Sequence, residues 1–241
     1  MQNHLVIFAK APRIGRVKSR LAAGIGPVGA WAFQRNQLKD LTRRQSRDPR
    51  WRCWLAAAPD RSVFDHALWH RAAPGTTARI SQGPGDLGAR MARVMGLLPP
   101  GPVVVIGGDI PGITPAMIAR AFRRLGHADA VFGPAHDGGY WLVGLKRRPR
   151  FADPFTGVRW STEHALADTA ANLADMRIDE RTSATAGAAA RRTKAVMSFM
   201  LPTTRISMIL RWASLLLSLE MSRGEDCYRR CLNELQPFMR N

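Results

Sequence analysis

Residues 103–112 read V-V-V-I-G-G-D-I-P-G. The valine and isoleucine run is β-branched, too short for a helix and closed by two glycines, which predicts a buried strand. Asp109 follows just past its end, where Pro111 prevents the strand from continuing. In an open α/β sheet, ligands bind beyond the carboxyl ends of the strands. A carboxylate delivered there is a candidate metal ligand or substrate anchor. Asp before Pro-Gly is also ordinary turn chemistry, so the neighbours must decide between the two.

Those neighbours repeat one theme. Residues 4–9 (H-L-V-I-F-A) form a buried-type strand followed at once by a basic, Gly-containing loop over residues 10–20. That loop carries Lys10, Arg13, Arg16, Lys18 and Arg20, with Pro12 and Gly15 as turn formers. Its spacing is neither a Walker loop nor a dinucleotide fingerprint. It still suits a polyphosphate, through close backbone approach and charge-assisted bonds. Residues 31–47 can form a helix with Trp31, Leu38 and Leu41 as apolar positions, and residues 52–58 a second strand ended by Pro59-Asp60. Residues 62–70 read as a short helix capped by Ser62. A weak strand over 78–81 enters the loop Q-G-P-G-D-L-G (82–88), where Asp86 can cap a helix bearing Leu87, Met91, Val94 and Leu98. Thr114 caps the next helix with Pro115 in its first turn, and Ile118, Ala121, Phe122 and Leu125 face the core. Residues 129–132 and 141–145 are further strands, joined through His136-Asp137-Gly138-Gly139-Tyr140, a hairpin signal. Ser161 or Thr162 can cap a helix running to about Leu173. The alternation predicts a layered α/β fold with a mostly parallel sheet over residues 1–178.

Residues 179–241 differ in character. Residues 179–194 hold almost no large apolar side chain, and residues 206–219 form an apolar stripe at helical spacing. A basic linker and a helical tail are expected, the helix packing on the core, a partner or a membrane surface. The stripe contains Arg211 and is too short to span a bilayer.

Composition narrows the function classes. The formal net charge is +18, with 31 Arg and five Lys. This invites a nucleic-acid reading, but the basic pairs are spread along the chain rather than gathered beside stacking aromatics, which argues against it. The three cysteines form no C-x-x-C pair and have no ligand spacing for zinc, which suits a reducing cytoplasm. No signal peptide or transmembrane segment is predicted.

Four stretches taken together resemble a known pattern: F-A-K-A-P-R-I-G-R-V-K-S-R-L-A (8–22), Q-G-P-G-D-L-G-A-R-M (82–91), residues 103–112, and G-P-A-H-D-G-G-Y-W-L-V-G-L (133–145), with W-S-T at 160–162. They resemble a bacterial family of glycosyltransferase-A-type proteins labelled selenodomain-associated or arsenosugar-biosynthesis glycosyltransferases. More distantly the chain is similar to 2-phospho-L-lactate guanylyltransferase and to molybdenum-cofactor nucleotidyltransferases. The resemblance implies a nucleotide-diphosphosugar transferase sheet over residues 4 to about 178, with a divergent helical C-terminal tail. It implies that Lys10, Arg13, Gly15, Arg16, Lys18 and Arg20 wrap a nucleotide's phosphates. Gln82, Gly83, Gly85, Asp86 and Arg90 would lie near the nucleoside. Asp109 would hold Mg²⁺ or Mn²⁺, and Asp137, with Gly138, Gly139 and Tyr140, would stand on the acceptor side. The chain departs from the pattern at Ser19, Gly108, Ile110 and His136, and it lacks the acidic Asp-x-Asp-Thr strand with which relatives end.

The chemistry needs few groups. A leaving diphosphate accumulates negative charge, which a divalent cation on Asp109 with Arg13, Arg16 and Lys18 would stabilise. Inverting sugar transfer also needs a base for the acceptor hydroxyl, with Asp137 the first candidate and His136 the second. The expectation is a cytoplasmic, metal-dependent transferase taking a nucleotide sugar and a small-molecule acceptor. The same parts would serve a nucleotidyltransferase that takes a nucleoside triphosphate and releases pyrophosphate. A non-catalytic nucleotide-binding protein with an altered C-terminus is the third reading.

Overall fold

The computed structural model describes residues 1–76, 78–147, 153–183 and 196–197. Seven strands form one sheet in the order β3-β2-β1-β4-β6-β5-β7. They are β1 His4–Lys10, β2 Arg52–Ala58, β3 Ala78–Ser81, β4 Val103–Gly107, β5 Ala130–Pro134, β6 Tyr140–Leu145 and the two-residue β7 Val196–Met197. Strands β1 to β4 are mutually parallel, and β6 alone runs antiparallel, against both β4 and β5. The mostly parallel α/β sheet with one antiparallel hairpin is therefore as the alternation predicts.

Helices cover both faces, which is why the strands read as apolar runs rather than alternating ones. Successive side chains still point to opposite faces. Leu5, Ile7, Leu55, Val104, Ile106 and Leu142 pack with Leu38 and Leu41 of helix α1 (Ser19–Ser46), Trp69 of α2 (His66–Ala72), and Ile118 and Phe122 of α4 (Pro115–Leu125). Val6, Val103, Val105, Phe132, Val143 and Leu145 pack with Met91, Val94 and Met95 of α3 (Leu87–Leu97) and Leu173 of α5 (Ala165–Ser183).

Several local expectations hold to the residue. Asp86 caps α3 by accepting from the Ala89 amide at 2.8 Å, and Thr114 caps α4 ahead of Pro115. Others are corrected. Helix α1 begins at Ser19, so Ser19 and Arg20 belong to its first turn rather than to the loop, and it is broken at Gly26 just before Pro27. Ser62 is buried in a 3₁₀ turn (Asp60–Phe64), and the cap of α2 is Asp65, which accepts from the Leu68 amide at 3.0 Å. Leu87 is exposed, because as the first helical residue it points past the sheet. Helix α5 starts after Thr162 and runs through residue 178 to Ser183. The helical stripe expected at 206–219 lies outside the described residues, as do Cys227 and Cys231. Among the described residues, no helix is long and apolar enough to cross a membrane.

Candidate functional site

The sheet gathers the singled-out segments along one edge. Because β1 to β4 are parallel and β5 runs antiparallel to β6, the carboxyl ends of β1, β2, β3, β4 and β5 all face the same way. The basic loop, Pro59-Asp60, residues 82–86, Asp109 and the 135–139 turn follow those ends. The chain steps outward from β1 to β2 and β3, then returns to place β4 on the other side of β1. The strand order thus reverses between β1 and β4, the crevice where open α/β sheets bind ligands.

A cavity of about 580 Å³ opens at that reversal, lined by Phe8, Ala9, Lys10, Gly15, Arg16, Val17, Lys18, Ser19, Gln34, Gly108 and Asp109. The Gly108 amide donates to the Phe8 carbonyl at 2.8 Å and clamps the end of β4 to β1. A Cβ at Gly108 would lie 3.0 Å from that carbonyl and 3.1 Å from Leu38 Cδ1, so the departure from serine follows the packing. Asp109 emerges beyond the clamp with its side chain about half exposed, and Lys18 Nζ meets its Oδ2 at 3.0 Å.

Lys18 reaches Asp109 from a left-handed backbone (φ 49°, ψ 49°). That conformation costs a non-glycine residue about 1–2 kcal/mol. A solvent-accessible ion pair returns about 0–1 kcal/mol. The arrangement does not stabilise the fold on balance, which is how substrate-positioning groups behave. Lys10 and Arg16 line the same wall with no partner among the described residues. Trp31 Nε1 donates to the Pro12 carbonyl at 2.8 Å and ties the loop to α1. Arg13 turns the other way and pairs with Asp65 at 2.9 Å, while Arg20 does not line the cavity.

The Gly-rich loop is built differently. Gln82 is buried and donates to the Ala56 carbonyl at 2.8 Å. Asp86 is the helix cap, and Arg90 Nε donates to the Gly85 carbonyl at 2.9 Å. Arg93 donates to the carbonyls of Gln82 and Pro84 at 3.0 and 2.9 Å. The Gly83 amide is held by Asp60 Oδ1 at 3.0 Å. Bonds from Ser81 and Gly83 keep the Asp60 carboxyl below the usual carboxylate range. These bonds shape the loop and engage both its side chains and its main chain, the Gly83 amide and the Gly85 carbonyl included.

The 135–139 turn lies farther along the same edge, and none of its residues lines the cavity. Asp137 Oδ1 accepts from the Gly139 amide at 3.1 Å, so this carboxylate closes its own turn. His136 is exposed beside it. Gly138 (φ 79°) abuts the backbone of Glu163, and its carbonyl accepts from the Leu166 amide at 3.0 Å. Tyr140 is held in place: its hydroxyl meets Thr169 at 3.3 Å, its ring packs edge-on to Phe132 and Trp160, and burial pushes its phenol well up.

Among the described residues, no three His, Cys, Asp or Glu side chains converge as a preformed metal centre. Asp109 offers one unbonded oxygen, Oδ1, beside cations suited to phosphate. That donor set fits a hard divalent cation held by one carboxylate plus phosphate oxygens and water, a usual Mg²⁺ arrangement.

Three residues had not been picked out from the sequence. Asp60 and Asp65 grip the Gly-rich and basic loops, and Asp65 carried a readable sign as a cap ahead of an apolar helix. Gln34 reaches the cavity floor, and its sign is a polar residue at the helical spacing of Trp31, Leu38 and Leu41.

A family model described as "Uncharacterized protein conserved in bacteria (DUF2064)" matches residues 41–162. No curated protein matches the chain. The chain is similar to a crystal structure from Desulfovibrio desulfuricans G20, provisionally described as a nucleotide-diphospho-sugar transferase. The TM-score is 0.66 at 27% identity, covering 73% of this chain and 78% of that one. It is more remotely similar to the 4-diphosphocytidyl-2C-methyl-D-erythritol synthase of Anaerococcus prevotii DSM 20548, with TM-score 0.48 and 13% identity over 89% and 98% of the two chains. A CMP:2-keto-3-deoxy-manno-octonic acid synthetase complexed with CTP gives TM-score 0.44 and 12% identity over 90% and 99%. The fold is that of the nucleotide-diphosphosugar transferases.

Proposed function

The chain belongs to the family described as "Uncharacterized protein conserved in bacteria (DUF2064)", and from that premise we propose a transferase acting on a nucleotide-activated donor, with a nucleotide sugar as that donor. One observation carries the reading: at the strand-order reversal, Lys10, Arg16 and Lys18 surround a single exposed carboxylate, Asp109. Two cations with side chains unpaired among the described residues, Lys10 and Arg16, and Lys18 in a replaceable pair fit a diphosphate, whose charge grows as its bond to the sugar breaks. Lys18 would exchange Asp109 for a phosphate oxygen at small cost, since the exposed pair is weak. Asp109 would hold Mg²⁺ or Mn²⁺, which when bound neutralises charge on the departing diphosphate. Arg13 would act through its Asp65 tether, shaping the loop, and Arg20 would add only to the field. Gly83 and Gly85 would lie against the nucleoside in a loop shaped by Gln82, Asp86 and Arg90, through close approach more than through free hydrogen-bonding groups. The motif resemblance to arsenosugar-biosynthesis glycosyltransferases favours a sugar as the transferred group.

A nucleotidyltransferase reading has its own support. Transfer to an acceptor hydroxyl needs a base, and Asp137 is engaged by its own turn. The second Asp137 oxygen, Oδ2, and the exposed His136 beside it remain the proton acceptors available for sugar transfer. Transfer of a nucleotidyl group to a phosphate acceptor needs neither.

Incubation with nucleoside triphosphates and nucleotide sugars, with Mg²⁺ or Mn²⁺, separates the readings. Nucleoside diphosphate release identifies glycosyl transfer, and pyrophosphate release identifies nucleotidyl transfer. Tight binding with no turnover across the panel identifies a nucleotide-binding protein. Asp109→Ala is expected to abolish the Mn²⁺-dependent part of nucleotide affinity in calorimetry. Unchanged affinity with Mn²⁺ would remove Asp109 from the metal.

A further inference from the structure

Helix α1 turns an unusual face to the sheet. Leu38 and Leu41 are buried on it, but so are Gln34, Gln37, Thr42 and Gln45. Thr42 donates to the Leu38 carbonyl at 2.9 Å, and Gln45 Nε2 donates to the Ile113 carbonyl at 3.3 Å while its Oε1 stays buried without a partner among the described residues, so each of these two is tied in by at least one bond. Gln34 and Gln37 are not. Each is 6% exposed; both polar atoms of the Gln37 carboxamide are sealed without a partner, and Gln34 makes no side-chain hydrogen bond among the described residues. Gln37 is sealed from solvent, whereas Gln34 lines the cavity.

A buried carboxamide without partners is unfavourable, and core positions of this spacing normally carry Leu or Met. Retaining one where it faces a cavity makes sense if a ligand completes its bonds. The partner's chemistry follows from the amide. A carboxamide presents donors on nitrogen and an acceptor on oxygen. A phosphate would engage the nitrogen and offer Oε1 no donor. A sugar hydroxyl both donates and accepts, and so satisfies both ends. Lys10, Arg16 and Lys18 already supply cations for phosphate on the same wall.

From this geometry we propose that Gln34 is a ligand-binding residue that reads a hydroxyl of the donor's sugar. The inference rests on the nucleotide-donor reading above and adds to it the residue that distinguishes a sugar-bearing ligand from bare phosphates. Gln37, one turn further along the same face, is the internal control, since it has the same chemistry and burial but no cavity.

The test is calorimetric binding of inorganic pyrophosphate, a nucleoside diphosphate and a panel of nucleotide sugars to the wild type, Gln34→Met and Gln37→Met, with melting temperatures of the ligand-free proteins. Met matches Gln in length and flexibility and removes the polar atoms. Gln34→Met is expected to weaken the nucleoside diphosphate or nucleotide sugar by roughly tenfold, the loss of one net hydrogen bond. Pyrophosphate affinity should be unchanged and the ligand-free melting temperature equal or higher. Gln37→Met should raise the melting temperature and leave all affinities unmoved. If Gln34→Met binds every ligand as the wild type does, or weakens pyrophosphate equally, the assignment is overturned. A lower melting temperature with unchanged selectivity would make Gln34 structural and also overturn it. If the wild type binds no nucleotide at all, the donor reading falls and takes this assignment with it.

Discussion

The two loops that follow β1 and β3 are built from similar residues and use them in opposite ways. In residues 82–93, Gln82, Asp86, Arg90 and Arg93 each bond to main chain within the loop, the helix it opens or the adjacent strand. In the loop after β1, the side chains of Lys10 and Arg16 bond to nothing among the described residues, and Lys18 adopts a strained backbone to hold an exposed carboxylate. One loop consumes its polar groups in making its shape, whereas the other keeps them available. A ligand that meets both should therefore bond to side chains at the first and find a wall already shaped by its own bonds at the second. The difference is one of accounting for hydrogen bonds: both loops are rich in turn formers, and the second is bonded by Arg90 and Arg93 of the helix it opens.

The sharpest way to break this comparison is at Lys18. Lys18→Ala should weaken nucleoside diphosphate binding by roughly 10- to 150-fold, the loss expected for a charge-assisted hydrogen bond of about 1.5–3 kcal/mol. Lys18→Gly should lose the same affinity without lowering the melting temperature, because glycine adopts the left-handed backbone freely. Calorimetry and a thermal melt on both variants check this. Retained affinity in either would mean that the unengaged cations of this loop are merely solvated.

Asp86 probes the other loop and should give the converse. Asp86→Ala removes the acceptor for the Ala89 amide and should cost about 1 kcal/mol of stability. Nucleotide affinity should change less than twofold, provided α3 keeps its place, because the Asp86 carboxylate faces the helix and not the ligand. A tenfold loss of affinity without loss of stability would return Asp86 to the nucleoside.

This contrast also explains what could be read in advance. The sheet was legible because residues 103–106 and 4–9 are apolar runs whose period and length admit little else, and because Asp86 and Thr114 cap where capping chemistry says they should. The segments that meet at the carboxyl edge were legible too, since they follow strand ends. Which of their side chains remain free was not. Arg13 and Arg16 are three residues apart in the same basic loop, yet one pairs with Asp65 and the other lines the cavity. That distinction depends on a partner 52 residues away. Ser62 was mistaken for a cap because the 3₁₀ turn shifts the helix start by four residues, to His66. Gln34 shows in the sequence only as a polar residue at an apolar spacing, because its meaning lies in a bond it does not make.

A third carboxylate extends the comparison to ion pairs. Asp168 accepts from the Arg159 guanidinium through two bonds of 2.8 and 2.9 Å, and from the Arg159 amide at 3.0 Å. Asp109 meets Lys18 through one ammonium, shared with its own carbonyl. The Arg159 hydrogen bonds hold the Asp168 carboxyl down at about 2. A carboxyl lowered on folding stabilises the protein above its unfolded value near 3.8, and that contribution is lost as pH falls toward 2. Acid unfolding of the wild type should therefore steepen over that window, and Asp168→Asn should flatten the slope there while leaving neutral-pH nucleotide binding unchanged. The effect should be the smallest of the three, because Arg159 is exposed and its pairing is screened by solvent. An unchanged acid profile would show that a three-bond surface fork contributes no more to the fold than the single bond between Lys18 and Asp109. The difference between the two pairs would then lie only in which one a ligand can replace.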